Sequence, residues 1–465
     1  MDMQNSSTKR PATIATVDMD TMPLRWGHFK VWAVASMGQF AGGALSTLVG
    51  VVIPLMQALT HTDLKPLMQG ILASTSLVGI MAGSLLIGSW SDKRGYLRFL
   101  RLSPMLILAG AVTALSTTSL PWLIIALFAM GFGVGGGYSL DSDYISEIMP
   151  RRWRLFMVGA AKATSAVGNT LMAFICYNIL RHWSAHEHWN SLFWLVAAMA
   201  VVMIAASIRF EQSPGWLLSQ GRRDEAEQAV RYFLGEDVVI GDKSNNKTTK
   251  AQTATWWQMF RGESLRRTIL CGIPWACEGY GVYGIGVFLP ILIMALGIGS
   301  EQRSPLMHIA SSVELSAYVN ICVVLGFLLG LAIVRRSSHT RQQSWGFVLS
   351  AAGLAILMIG YALHMAHWVM IAGIVIFEIF LNFGPHLITF ILPAQIYPIA
   401  ERGAGAGLAA AMGKAGAVVG VFTIPIILKW GGANAVVAVT MALQLLGAII
   451  TATLGRDISG EEPRP

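Results

Sequence analysis

The chain has 465 residues, is 54% hydrophobic and only 12% charged, and has a mean hydropathy of +0.57. Soluble domains carry about 25% charged residues, so the composition excludes an ordinary water-soluble fold and makes lipid the main solvent. The net charge of +8 and pI of about 9.4 would suit a nucleic-acid binder in total, but the charges are distributed along the chain in a way that excludes that partner.

Residues 1–29 are polar, carry Lys9, Arg10 and Arg25, and lack the basic start, short apolar run and small-residue cleavage site of a signal peptide. They read as a cytoplasmic tail. A membrane-crossing helix needs about 20 apolar residues. Six such stretches follow at 30–54, 68–90, 100–117, 121–141, 156–180 and 190–210, giving a first six-helix bundle over 30–210. The polar segment 211–266 holds Arg222, Arg223, Asp224 and Glu225 and reads as a cytoplasmic linker. It contains an amphipathic helix near Trp216–Leu234 and a flexible stretch near Gly241–Thr253. Six more stretches lie at 268–294, 313–334, 344–363, 367–392, 405–428 and 432–455, a second bundle over 267–455, before a cytoplasmic tail at 456–465.

Charge supports this topology. With the amino terminus cytoplasmic, 27 of the 33 Lys and Arg fall on the cytoplasmic side, four fall outside (Lys65, Arg181, Arg303, Lys429) and two lie within helices (Lys162, Lys414). That asymmetry is the positive-inside pattern. It accounts for the basic pI through the cytoplasmic face and its anionic lipids. The four cysteines all lie in apolar stretches, none spaced as a metal ligand set. No phosphate-cradling loop of an ATP-driven pump is present, nor a recognisable Ser–His–Asp or metal set, so an enzyme is not expected and no cofactor is implied.

Three motifs stand out. After the second span the chain reads Gly88-Ser-Trp-Ser-Asp92-Lys93-Arg94-Gly95-Tyr-Leu-Arg98. After the fourth and tenth spans come Tyr144-Ile-Ser-Glu147-Ile-Met-Pro150 through Arg154, and Gln395-Ile-Tyr-Pro398 through Arg402. These two share one spacing at equivalent places in the two halves, as internal repeats of transporters do. After the sixth span stands Glu211-Gln-Ser213-Pro214-Gly-Trp216-Leu217.

The first motif resembles the loop signature of the major facilitator superfamily, and the others resemble marks of sugar porters and their relatives. Residues 381–417, with Asn382-Phe-Gly384-Pro385, Thr389-Phe390 and Gly413-Lys414-Ala-Gly416-Ala417, resemble the phosphate:proton symporter branch. So do Trp275 and Tyr283-Gly284 in helix seven, and Gly135-Gly136-Gly137-Tyr138 in helix four. The resemblance implies an all-α integral membrane protein of twelve transmembrane helices in two six-helix bundles, in the plasma (inner) membrane. It would move a small solute by alternating access. It implies a substrate site around Lys414, Asn382, Tyr138, Trp275 and Tyr283. Asp92, Arg98, Glu147, Arg154 and Arg402 would form a cytoplasmic gate. The chain departs from that branch where acids are expected: Gln39 stands in the helix-one stretch, Gly137 at the helix-four acid and Gly279 at the helix-seven acid.

Ionisable groups inside a membrane are expensive, so each is a functional candidate. Lys414 in helix eleven and Lys162 in helix five, matching helices of the two halves, point to an anionic substrate; pairing with internal acids is the alternative. Glu378, Asn382 and His386 at i, i+4 and i+8 share one face of helix ten, as a cavity wall or a helix–helix seam. Glu278 in helix seven and Asp141 in helix four are the proton-coupling candidates with Glu378. For Asp141 and Asp143 the alternative is an ion pair with Arg151 or Arg154. The leading reading is a secondary transporter of a small anion such as phosphate, an organophosphate or a carboxylate, with proton coupling. A transporter of a neutral sugar-like solute is the second reading, and a membrane sensor on a transporter fold the remote one.

Overall fold

A computed structural model describes residues 17–61, 64–182, 188–235, 238–240, 256–298, 305–334, 336–398 and 401–455. The tails 1–16 and 456–465 and the flexible stretch expected at 241–253 lie outside the described residues, as do the side chains of Asp92, Asp143 and Arg402.

The described chain is almost wholly helical. The first crossing is α1 (Trp26–Ala35) continued by α2 (Met37–Thr60) across Ser36. Then come α3 (Pro66–Arg94), α4 (Tyr96–Ser116), α5 (Leu120–Ile148), α6 (Arg154–His182) and α7 (Phe193–Ile208). The linker holds α8 (Pro214–Ser219) and α9 (Arg223–Leu234); the single amphipathic helix expected there is two, separated at Gly221, whose φ is +74°. The seventh crossing is α10 (Gly262–Gly279), a π-helical turn at Tyr280–Ile285 and α11 (Gly286–Ala295). It is followed by α12 (Pro305–Ile333) and α13 (His339–Ala362). The tenth is broken at Gly384 into α14 (His367–Phe383) and α15 (Pro385–Ile396). The last continuous helical stretch, α16 (Arg402–Leu454), is 53 residues long. At 1.5 Å per residue it would run about 80 Å, more than twice a hydrocarbon core of about 30 Å. Gly432, with φ 67° and ψ −173°, breaks it, so it makes two crossings and the total is twelve.

Most helices run several residues past the apolar stretches legible in the sequence. Their polar ends, such as Lys93 and Arg94 of α3 and Arg154 of α6, need not lie in hydrocarbon, and helical hydrogen bonding continues beyond it. Large apolar side chains stay exposed along the outward faces, among them Leu328, Leu329, Val201 and Ile449, where lipid is their solvent. Exposed indoles stand at helix ends, at Trp26, Trp122, Trp194 and Trp368, the interfacial position tryptophan favours.

Helices α1–α7 pack as one bundle and α10–α16 as the other; α6 meets α12, α3 meets α16, and α2 meets α11 across the boundary. Two of these crossings depend on having no side chain. A Cβ on Gly50 of α2 would collide with the Val287 carbonyl, and one on Gly70 of α3 with the Phe422 carbonyl. Gly95, at φ +93°, makes the tight turn from α3 to α4.

On the face that carries the linker, Glu147 at the end of α5 accepts hydrogen bonds from the Ser213 hydroxyl and the Gly215 amide. The amino-terminal segment also folds back there. Val17–Asp18 (β1) pairs in parallel with Val238–Val239 (β2). Arg154 forms a 2.9 Å ion pair with Asp20, and Arg25 donates to the Leu234 carbonyl.

Candidate functional site

A cavity of about 720 Å³ lies between the bundles and opens on the linker face. Its mouth is formed by Ser146, Arg151 and Arg154 at the α5–α6 turn and by Pro393 and Gln395 of α15. Its floor carries Gln39, Tyr138, Lys162, Glu278, His386 and Lys414. The floor is deep. Lys162 stands eight residues into α6, about 12 Å from its end at the helical rise.

The two lysines, one from each bundle, converge on one aromatic ring. The Nζ of Lys162 lies 5.2 Å and that of Lys414 4.8 Å from the centre of Tyr138. Lys414 also sits 4.8 Å from the centre of Tyr283 and donates to its hydroxyl at 3.2 Å. Lys162 is 3.4 Å from Gln39 Oε1. The ring faces partly offset each cation, but neither ammonium has a carboxylate within 4.0 Å among the described residues. Glu278 is close enough to interact electrostatically with both.

Glu278 opens a second line of polar groups. Its Oε1 lies 3.6 Å from Nε2 of His386 and makes no hydrogen bond. On the other side of the ring, His386 Nδ1 is 2.7 Å from Asn382 Oδ1. Asn382 Nδ2 donates to the Glu378 carbonyl at 2.8 Å and reaches Glu378 Oε2 at 3.4 Å. With the amide oriented by those donations, Oδ1 is the acceptor and Nδ1 of His386 carries the ring proton. Nε2 then faces Glu278 as the position able to take another. Phe327 packs 5.0 Å from the imidazole.

The structure therefore brings Lys414, Lys162, Tyr138, Tyr283, Gln39, Glu278 and Trp275 to one cavity. Trp275 stacks edge-on to Phe390, 6.3 Å between centres. Asn382 and Glu378 lie behind the wall and reach it through His386. Asp141 lies off the cavity, buried between α2 and α5, where its carboxylate accepts from the backbone N–H of Gln39 at 3.2 Å. Of the arginines considered as partners of Asp141 or Asp143, Arg154 forms an ion pair with Asp20, and the side chain of Asp143 lies outside the described residues. Arg98 is exposed. Glu147 accepts from the Ser213 hydroxyl and the Gly215 amide of the linker. Asp92 and Arg402 have no described side chain.

Three polar residues were missed. Thr47, Asn169 and Asn320 line a small chamber of about 30 Å³ beyond the floor, with Tyr138, Tyr283 and His386 shared between the two spaces. Helical spacing carried the signal. Asn169 is seven residues after Lys162, and Ser312, Ser316 and Asn320 follow at i, i+4 and i+8 along α12, each set on one face. Further along the same axis, a separate pocket at the opposite face is lined by Pro54, Lys65, Met294, His308 and Lys429. The Gly50–Val287 and Gly70–Phe422 crossings stand on this side of the molecule, so the cavity is open at one face and shut toward the other.

Twelve crossings in two bundles around a charged cavity open on one side define a membrane transporter of the major facilitator type. The chain belongs to the sugar (and other) transporter family, which matches residues 31–455. Among its relatives is the inner membrane metabolite transport protein YgcS of Escherichia coli (strain K12), 27% identical over 438 residues and spanning 94% of this chain and 93% of that protein. A putative inorganic phosphate transporter 1-13 of Oryza sativa subsp. japonica is 24% identical over 428 residues, 85% of this chain and 82% of that one. In fold the chain is similar to the xylose transporter XylE of E. coli in a partially occluded inward-open conformation. The TM-score is 0.76 at 17% identity, over 92% of this chain and 97% of that one.

Proposed function

We propose that the protein is a secondary active transporter of a small anionic metabolite, working by alternating access with proton coupling. One observation carries the reading. At the cavity floor two cations, Lys162 and Lys414, one from each bundle, stand against a single carboxylate among the described residues, Glu278. An excess of cations at membrane depth is costly, and an anionic cargo satisfies it through charge-assisted hydrogen bonds.

Lys414 and Lys162 bind the anionic group, with Tyr138 and Tyr283 holding the ammonium groups and Gln39 fixing Lys162. Trp275 forms the apolar wall. Glu278, facing Nε2 of His386, is the coupling carboxylate. A proton on this pair lowers the negative charge that competes with cargo for the lysines. Asn382 sets the imidazole, and Glu378 terminates the line. Asp141 acts on the cavity through Gln39. Glu147, Arg154 and their partners on the linker face form the gate, with Asp92, Arg98 and Arg402 beside them. The linker face is cytoplasmic, on the strength of the Lys/Arg asymmetry, which places both termini inside. The phosphate transporters among the relatives support an anion.

A neutral sugar-like cargo is the second reading, favoured by the family description and by the aromatic wall of Trp275, Phe390, Tyr138 and Tyr283. The test is uptake into proteoliposomes of labelled phosphate, a carboxylate and a sugar, with and without an inward proton gradient. Gradient-stimulated uptake of an anion supports the proposal. Sugar uptake indifferent to competing anions overturns it.

A further inference from the structure

The small chamber beyond the lysines has no part in holding an anionic group, yet its chemistry is directed inward. It is walled by Ser46 and Thr47 of α2, Ser165 and Asn169 of α6, and Asn320 of α12, so both bundles contribute. Several of its polar groups are unspent. Asn169 Oδ1 accepts from Thr47 at 3.2 Å, but no hydrogen bond is made by Asn169 Nδ2 or by the Asn320 amide among the described residues. The buried Tyr138 hydroxyl, which stands beside that of Tyr283, has no hydrogen-bond partner of good geometry. Unmet polar groups in a low-dielectric site are costly, and a water needs about 10–15 Å³ of such space. The chamber holds about two waters or one hydroxyl-bearing carbon.

We infer that the chamber is a second subsite, which takes a hydroxyl-bearing part of the cargo, so that the substrate class is a polyhydroxylated anion such as a sugar acid. This rests on the anionic reading above. Inorganic phosphate would satisfy the lysines and leave the chamber empty, along with most of a 720 Å³ cavity. A neutral sugar would fill the chamber and leave the lysines unmet. Asn169 stands seven residues beyond Lys162, about 10 Å along α6, a span suited to a hexose-sized molecule with its hydrogen bonds at each end. Because the walls come from both bundles and lie toward the closed side of the cavity, the subsite is dismantled when that side opens.

The test uses the full chain in proteoliposomes and four probes: gluconate, hexanoate, inorganic phosphate and glucose. Hexanoate has the carboxylate and chain length of gluconate without its hydroxyls. A site built to hydrogen-bond hydroxyls rejects an analogue lacking them, so gluconate is expected to bind at least about tenfold more tightly than hexanoate. The double variant Asn169→Leu/Asn320→Leu should erase that preference while hexanoate affinity holds. Thr47→Val, a smaller change, should reduce it if the double variant does not fold. Equal affinity for gluconate and hexanoate overturns the subsite and leaves the anionic reading intact. Binding of glucose without gluconate overturns the anionic reading itself, and binding of none of the four overturns both.

Discussion

Replacing Lys414 by Met separates function from stability. Its ammonium donates to the Tyr283 hydroxyl at 3.2 Å and lies 4.8 Å from the centres of two rings, with Glu278 more than 4.0 Å away. Such contacts are worth about 0.5–2 kcal/mol each. Against them stands the cost of a cation at membrane depth, about 2.5–3.5 kcal/mol on insertion scales. The two nearly cancel, so Lys414→Met should leave the thermal midpoint in detergent unchanged or raised. Function is a different matter. With Lys414 gone, Lys162 and Glu278 balance, and the anion loses one charge-assisted hydrogen bond worth about 1.5–3 kcal/mol. The Kd should rise about 10- to 150-fold, measured by equilibrium binding of the transported anion to purified protein. Transport should fall in parallel. A Kd within twofold of the parent would refute the reasoning. So would a collapse of the midpoint, which would make Lys414 a structural partner of the tyrosines.

Three further outcomes follow from the geometry. Glu278→Gln removes the carboxylate that faces the cavity lysines, so anion exchange between two liposome compartments should persist while gradient-driven accumulation is lost; retained accumulation would exclude Glu278 as the coupling group. Gly50→Leu places a side chain against the Val287 carbonyl and should hold the far face apart. Transport should be lost in a folded protein, and labelling of an Ala410→Cys reporter in the cavity from the linker face should fall; normal uptake would show that this crossing does not need to close. Glu147→Ala removes the acceptor of both Ser213 and Gly215 and should cost about 2–4 kcal/mol of stability, read as a lower thermal midpoint with anion affinity unchanged.

Hydropathy and charge along the chain determined twelve crossings, the polar connection between two halves, and the isolation of Lys162 and Lys414 within apolar helices. Lipid allows no other reading of such segments, because a backbone without water must satisfy its own hydrogen bonds. Helical spacing likewise placed Glu378, Asn382 and His386 on one face. Which neighbour that face meets depends on helix rotation and on contacts between distant segments, to which local periodicity is blind. Only the tertiary structure set His386 against Glu278, sent Arg154 to Asp20, and drew Asp141 away from the cavity to the backbone N–H of Gln39. It alone put Asn169 of one bundle and Asn320 of the other into a single chamber. The π-helical turn after Gly279 and the break at Gly384 were decided there too, since a glycine or proline in a membrane helix permits a distortion that only packing across the bundle selects.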